Sequence, residues 1–199
     1  MSEVCNTLTM NRDSGFTLVE LLMTIVVLTI LLATGVPAFK DFIKNNRVTA
    51  AANDLVSAIQ HARSEALKRG TNVVVCASKD MATCTGKDTW AEGWIVFSDL
   101  DLNNTPDVGV SLPLCEATED CIMLTSNGLS QGSTLTTTAK SLCFLPTGMS
   151  GTHLPDTCSR DNTDEVEFTI KAKDCEKTQA RKILITQHGH MSVTKVGCS

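Results

Sequence analysis

"GFTLVELLMTIVVLTILLATGVPAF", residues 15–39, decides how the rest of the chain is read. From Leu18 to Val36 it holds apolar residues, three threonines, one glycine and a lone carboxylate, Glu20. That length is close to the roughly 20 residues a helix needs to cross a hydrocarbon core. A charged side chain within a bilayer is expensive and calls for a named partner, unless it rests at the headgroup boundary. Glu20 is the third residue of the run, so both readings stand. A secretory signal peptide would have a shorter apolar part and end at a small-residue cleavage site. Ala33-Thr34-Gly35 imitates such a site, but a carboxylate leads the run where a signal peptide carries positive charge.

Downstream of Pro37 the pattern turns amphipathic. Val48, Ala52, Leu55, Ile59, Ala62 and Ala66 recur at spacings of three and four, which is one face of a helix. Gly70 stands where a helix C-terminal glycine belongs. A helix from Phe16 to Arg69 would be about 80 Å long. Pro37 inside it predicts a kink, or else two helices with a break there. The remainder alternates strand-like runs with turn-rich pieces. Candidate strands are 72–77, 94–98, 122–125, 142–145, 166–171, 182–187 and 190–196. The stretches "DLDLNNTPDVG" and "PTGMSGTHLPDTCSRDNTD" read as loops. One long helix covered by an antiparallel sheet gives an α+β fold.

Composition narrows the function. The net charge of −5 and a pI near 5.3 offer no basic surplus for a phosphate backbone, and six Phe, two Trp and no Tyr offer few stacking platforms, so nucleic acid is disfavoured as a partner. Of nine cysteines, Cys5 precedes the apolar run and eight follow it: Cys76, Cys84, Cys115, Cys121, Cys143, Cys158, Cys175 and Cys198. An even, scattered set without CxxC or His/Cys spacing reads as disulfides made in an oxidising compartment, not as a metal site. Short local spans favour Cys76 with Cys84, Cys115 with Cys121 and Cys143 with Cys158, leaving Cys175 with Cys198.

The segment beginning at Gly15, with Phe16, Thr17, Leu18, Glu20 and a proline about one membrane width later, resembles the class III signal of type IV prepilins and pseudopilins. Within that group "NNRVTAAANDLVSAIQHARSEALKRGTNVVVC", "WAEGWIVFSD", "LCFLPTGMSG" and "RKILITQHGHMSV" are similar to GspH/FimT-type members, which include FimU-type minor pilins. The resemblance implies a type IV pilin-like fold: a leader over 1–15, a transmembrane and fibre-core helix over 16–39, and a periplasmic globular domain over 40–199. It implies cleavage between Gly15 and Phe16 by a prepilin peptidase and N-methylation of Phe16. It also implies a role for Glu20 in subunit assembly, through the new ammonium on a neighbour's Phe16. The implied partners are other minor and major pilins or pseudopilins and an inner-membrane assembly platform. Type IV pilus and type II secretion remain alternative destinations, and no cofactor or enzymatic activity is implied.

Other candidate chemistry is weak. Asp99, Asp101, Asn103, Asn104 and Asp107 suggest a calcium loop, but Asn104 replaces the turn glycine and Val110 cannot ligate, so the stretch reads as a solvated hairpin loop. His188 and His190 flank Gly189 without a further ligand nearby in sequence, which argues against metal. His61, Ser64 and Glu65 lack a nucleophile elbow. Some FimT-type members bind DNA through a C-terminal Gly-Arg-x-Arg motif; the matching stretch here, Gly189-His190-Met191-Ser192, has neither arginine.

Overall fold

Thr17 starts the helix that dominates the molecule. Its hydroxyl accepts a hydrogen bond from the Glu20 N–H at 3.3 Å and its carbonyl one from the Leu21 N–H at 3.1 Å, so α1 spans Leu18–Arg69. The chain is seen here as a computed structural model that describes residues 15–103, 105–106, 120–129, 132–154, 157–159, 165–175 and 179–198. α1 ends at Gly70, which adopts φ +69° and donates its N–H to the Ala66 carbonyl at 2.9 Å. The helix runs unbroken through Pro37, so the two-helix alternative is not what forms. A proline still supplies no N–H to the Ala33 carbonyl one turn back.

The chain divides into two compact units, Met1–Asp41 and Phe42–Ser199. In the second, the predicted face of α1 is buried at all six positions, with Ala51 and Ala58 added. Alanines widen the stripe while letting strands approach closely. Among the described residues ten strands follow: β1 (Asn72–Ala77), β2 (Trp94–Asp99), β3 (Cys121–Ser126), β4 (Ser133–Thr137), β5 (Ser141–Phe144), β6 (Ser150–Leu154), β7 (Thr157–Ser159), β8 (Val166–Ala172), β9 (Ala180–Ile185) and β10 (Met191–Val196). They form two antiparallel sheets, one ordered β3-β2-β1-β5-β6-β7 and one ordered β10-β9-β8-β4.

The sheets differ in how they read. β8 alternates, with Val166, Phe168, Ile170 and Ala172 inward and Glu167, Thr169 and Lys171 outward, as expected of a strand with one wet face. β1 and β2 are instead buried at nearly every position, because the first sheet is covered on both sides. One face joins the main core with α1, Trp90, Trp94 and Phe144. The other holds a smaller cluster of Val74, Cys76, Ile95, Phe97, Ile122 and Cys143, over which Met81, Cys84 and Cys158 pack. In the main core, Trp90 meets Phe168 edge to face at 4.9 Å and donates its indole N–H to the Ala139 carbonyl at 2.8 Å.

Three strands lie where loops were expected or nothing was assigned. β4 buries Leu135 at its centre and otherwise shows Ser and Thr. β6 and β7 fall inside the stretch read as a loop, where Gly, Pro and Thr hide short strands near the sheet's edge. β9 begins and ends two residues earlier than its expected strand. The reason is the turn after it, where Thr186 N–H donates to His190 and Gly189 N–H, at φ +70°, donates to Thr186.

Candidate functional site

The first candidate surface is the N-terminal half of α1. Phe16 is 77% exposed, and Leu18, Leu22, Val26, Ile30 and Val36 are likewise open along its length. By length and composition α1 is a helix able to cross a membrane, and its apolar stretch is left uncovered by the described residues. Its three hydroxyls are spent locally: Thr24, Thr29 and Thr34 donate to the carbonyls of Leu21, Val26 and Leu31 at 2.8, 2.8 and 3.2 Å. Such back-bonding satisfies a hydroxyl where no water is available.

Gly15 and Phe16 precede the helix, and Glu20 sits exposed in its first turn. Thr17 and Glu20 have the spacing of a capping box, and a carboxylate there also meets the positive end of the helix dipole. The Thr-x-x-Glu spacing was present in the sequence as a signal for the helix start and went unread there. The carboxylate borders a shallow groove of about 360 Å³ lined by Met23, Thr24, Val27, Leu28 and Leu31.

The second group is the cysteines. Cys76–Cys84 and Cys143–Cys158 are bonded as local spans favoured, and Cys175–Cys198 as the remaining pair, with Cα separations of 5.6, 5.9 and 5.7 Å. Cys121 is disulfide-bonded, while its expected partner, Cys115, lies outside the described residues, as does Cys5. Within the first of these loops, Asp80 accepts from the Thr83 hydroxyl at 2.7 Å, the Thr83 and Ala82 N–H groups at 2.8 and 3.0 Å, and the Ser78 hydroxyl at 3.1 Å. Those bonds, led by the Thr83 hydroxyl, hold its carboxyl well below the usual carboxylate range.

The remaining candidates are structural in their contacts. The Ser64 hydroxyl donates to the His61 carbonyl at 2.8 Å, and Glu65 pairs with Arg69 at 2.7 Å and Lys68 at 3.4 Å, so this trio is used within α1. Near the stretch matched to the DNA motif, Arg181 donates to Asn45 Oδ1 at 2.9 Å and Thr49 Oγ1 at 3.0 Å, and Lys182 meets Glu167 at 2.6 Å. His188 and His190 sit on the β9–β10 turn, whose carbonyls at His188 and Gly189 accept from Arg63 at 3.1 and 2.8 Å. Among the described residues, the one group with metal-ligand spacing is Asp99, Asp101 and Asp120, whose carboxylate oxygens lie within 4.8 Å of one another. Asp120 lies beyond the expected loop ligands and escaped the sequence pattern; Asn104 and Asp107 lie outside the described residues. Asp99 and Asp120 are buried at 2% and 1%, so the stem of this hairpin loop is not solvated as expected.

Residues 51–189 match the family model described as type II transport protein GspH. The chain belongs to the GspH family. Residues 10–36 of this GspH-family chain also match the prokaryotic N-terminal methylation motif, across the junction of Gly15 and Phe16. A fimbrial protein of Pseudomonas aeruginosa is 32% identical over 80 residues, covering 40% of this chain and 47% of that protein. The type IV major alpha-pilin of Moraxella bovis is 38% identical over 48 residues, covering 24% of this chain and 30% of that protein. The chain thus spans about half or less of the length of the curated relatives it matches. Two crystal forms of the P. aeruginosa type IV minor pilin FimU align at 21% identity, with TM-scores of 0.49 and 0.46, covering 77% and 73% of this chain and 92% and 91% of those chains.

Proposed function

We propose that this chain is a non-enzymatic structural subunit, a minor pilin of a type IV pilus. It is made with a leader over 1–15, held in the bacterial inner membrane by 16–39 with residues 40–199 in the periplasm, cut after Gly15 by a prepilin peptidase and N-methylated on Phe16. It then joins a fibre beside other pilins. The observation that carries this reading is the union, in one chain, of a methylation motif on an exposed apolar helix and a GspH-family domain.

Cleavage would create an ammonium on Phe16, and Glu20 of an adjacent subunit is its natural counter-ion, because opposite charges in a desolvated fibre core attract strongly when well paired. Pro37 then serves as a point of bending within the fibre. Of the cations near the stretch matched to the DNA motif, Arg181 is bonded to α1 and Lys182 is paired with Glu167 on the sheet. N-terminal sequencing and intact mass of membrane-extracted protein test the processing: a chain beginning with N-methyl-Phe16 is expected, and one beginning near Gly35 overturns the reading.

A second destination is favoured by the family model's own description, type II transport. Deleting the gene separates the two: loss of surface pili with exoprotein secretion intact supports the pilus, and the reverse supports a secretion pseudopilus.

A further inference from the structure

The loop that leaves β2 carries a short pattern that assembly into a fibre does not use. Of the ten asparagines in the chain, Asn103 alone has a hydroxyl residue two places on, in Asp101-Leu102-Asn103-Asn104-Thr105. Asn-x-Ser/Thr with no proline between is the acceptor pattern for transfer of an oligosaccharide to an asparagine nitrogen. Such a triplet can act only where a second enzyme reaches it and where its side chains meet.

Both conditions hold here. Asp101, Leu102, Asn103 and Thr105 are exposed, just beyond the buried Asp99 that ends β2, and Pro106, which follows, is buried and fixes the pattern to the fold. The Asn103 carboxamide is held at both ends by the other residues of the pattern. Its Oδ1 accepts from the Thr105 N–H at 2.7 Å and from the Thr105 hydroxyl at 2.5 Å. Its Nδ2 donates to Asp101 Oδ2 at 2.5 Å, and the Asn103 backbone N–H donates to Asp101 Oδ1 at 3.1 Å. Between them Leu102 takes φ +63°, a left-handed conformation uncommon for a branched side chain, and the chain doubles back so that Asp101 and Asn103 meet. An amide nitrogen is a weak nucleophile because its lone pair is shared with the carbonyl. A carboxylate accepting its N–H returns charge toward nitrogen, while Thr105 fixes which end of the carboxamide faces that carboxylate.

We propose that Asn103 is an N-glycosylation site, modified by an envelope oligosaccharyltransferase that draws on a lipid-diphosphate-linked oligosaccharide. The inference rests on the reading above that residues 40–199 lie in the periplasm. In the transfer, Asn103 Nδ2 attacks the anomeric carbon of the first sugar. The Nδ2–C1 bond forms, the C1–O bond to phosphate breaks with its electron pair leaving on the lipid diphosphate, and one amide proton passes to a carboxylate of the transferase. Nothing is oxidised or reduced. A bulky, hydrated group at this point keeps the loop after β2 out of packed contacts between subunits.

Peptide mapping by mass spectrometry of the full chain, extracted from membranes of its own host, should find an oligosaccharide on Asn103. Asn103 bare in every copy overturns the proposal, as does sugar carried on Thr105 with Asn103 bare. The N-terminal residue of the same sample separates the two claims: N-methyl-Phe16 with Asn103 bare overturns the glycan alone, and a start near Gly35 with Asn103 modified overturns the pilin reading alone. Variants made in that host test the geometry. Asn103→Gln and Thr105→Val should lose the oligosaccharide and Thr105→Ser should keep it. Asp101→Asn should lower the ratio of modified to bare chain about tenfold, the worth of one charge-assisted hydrogen bond. These side chains are exposed, so the urea midpoint read from Trp90 and Trp94 should not move. Wild-type occupancy in Thr105→Val or in Asp101→Asn would overturn the arrangement proposed.

Discussion

Arg63 offers the sharpest test of how the globular unit is held together. Its guanidinium donates to the carbonyls of Gly148 at 3.0 Å, Gly189 at 2.8 Å and His188 at 3.1 Å, fastening α1 to the β5–β6 turn and the β9–β10 turn. Gly148 and Gly189 are buried, while His188 is exposed. In Arg63→Ala, water can replace the guanidinium at His188 but not readily at the two buried glycines. Each carbonyl left without a donor costs about 1–3 kcal/mol. The expected loss from the two buried carbonyls is therefore about 2–6 kcal/mol. Arg63→Lys keeps the charge but not the fork, and one ammonium cannot serve three carbonyls at once, so it should recover no more than about half. Trp90 and Trp94 are both fully buried, which makes their fluorescence a reporter for urea unfolding of this unit. A loss below about 1 kcal/mol in Arg63→Ala, or full stability in Arg63→Lys, would refute the fork argument.

Acid sensitivity should trace to Asp80. Its folded pKa lies below the unfolded value near 3.9, so its contribution is present above that pH and fades as pH falls below it. The urea midpoint of wild type should drop more steeply than that of Asp80→Ala as pH falls below about 4, and parallel curves would exclude this source. Gly128→Ala would set a Cβ 2.5 Å from the Ala91 carbonyl oxygen at φ +77°, against backbone that cannot yield. It should destabilise by more than about 3 kcal/mol in the same melt, whereas Gly86→Ala, at φ +64° in open space, should cost only about 1–2 kcal/mol. Glu20→Ala should leave cleavage after Gly15 intact but reduce the subunit in sheared fibres by immunoblot; normal incorporation would remove the pairing role.

Legibility followed the physics of each element. The helix could be read to within two residues because its membrane half is continuously apolar and its second half repeats at three and four. Thr17 and Gly70 supply its ends. β1, β2 and β8 were readable because their burial is written in runs or alternation. β4, β6 and β7 were not, since they owe their existence to pairing with neighbours more than to their own side chains. The same limit applied to Asp120, which proximity in the β2–β3 hairpin joins to Asp99, and to Arg63, whose three acceptors are backbone oxygens that no residue type announces. Two of the three described disulfides were legible because neighbouring cysteines in sequence sit close in the fold, and Cys175–Cys198 followed as the pair left over.

The bond from Arg181 to Asn45 spans 136 positions of sequence, and it has a consequence in time. Ribosomes deliver this chain from its N-terminus, so α1 exists long before β8 and β9 emerge to cover its alanine stripe. Contacts of such long range make folding slow, and a slow folder with exposed apolar surface is prone to associate wrongly. An apolar anchor placed first in the chain would hold each waiting molecule apart from its siblings until the last strands arrive.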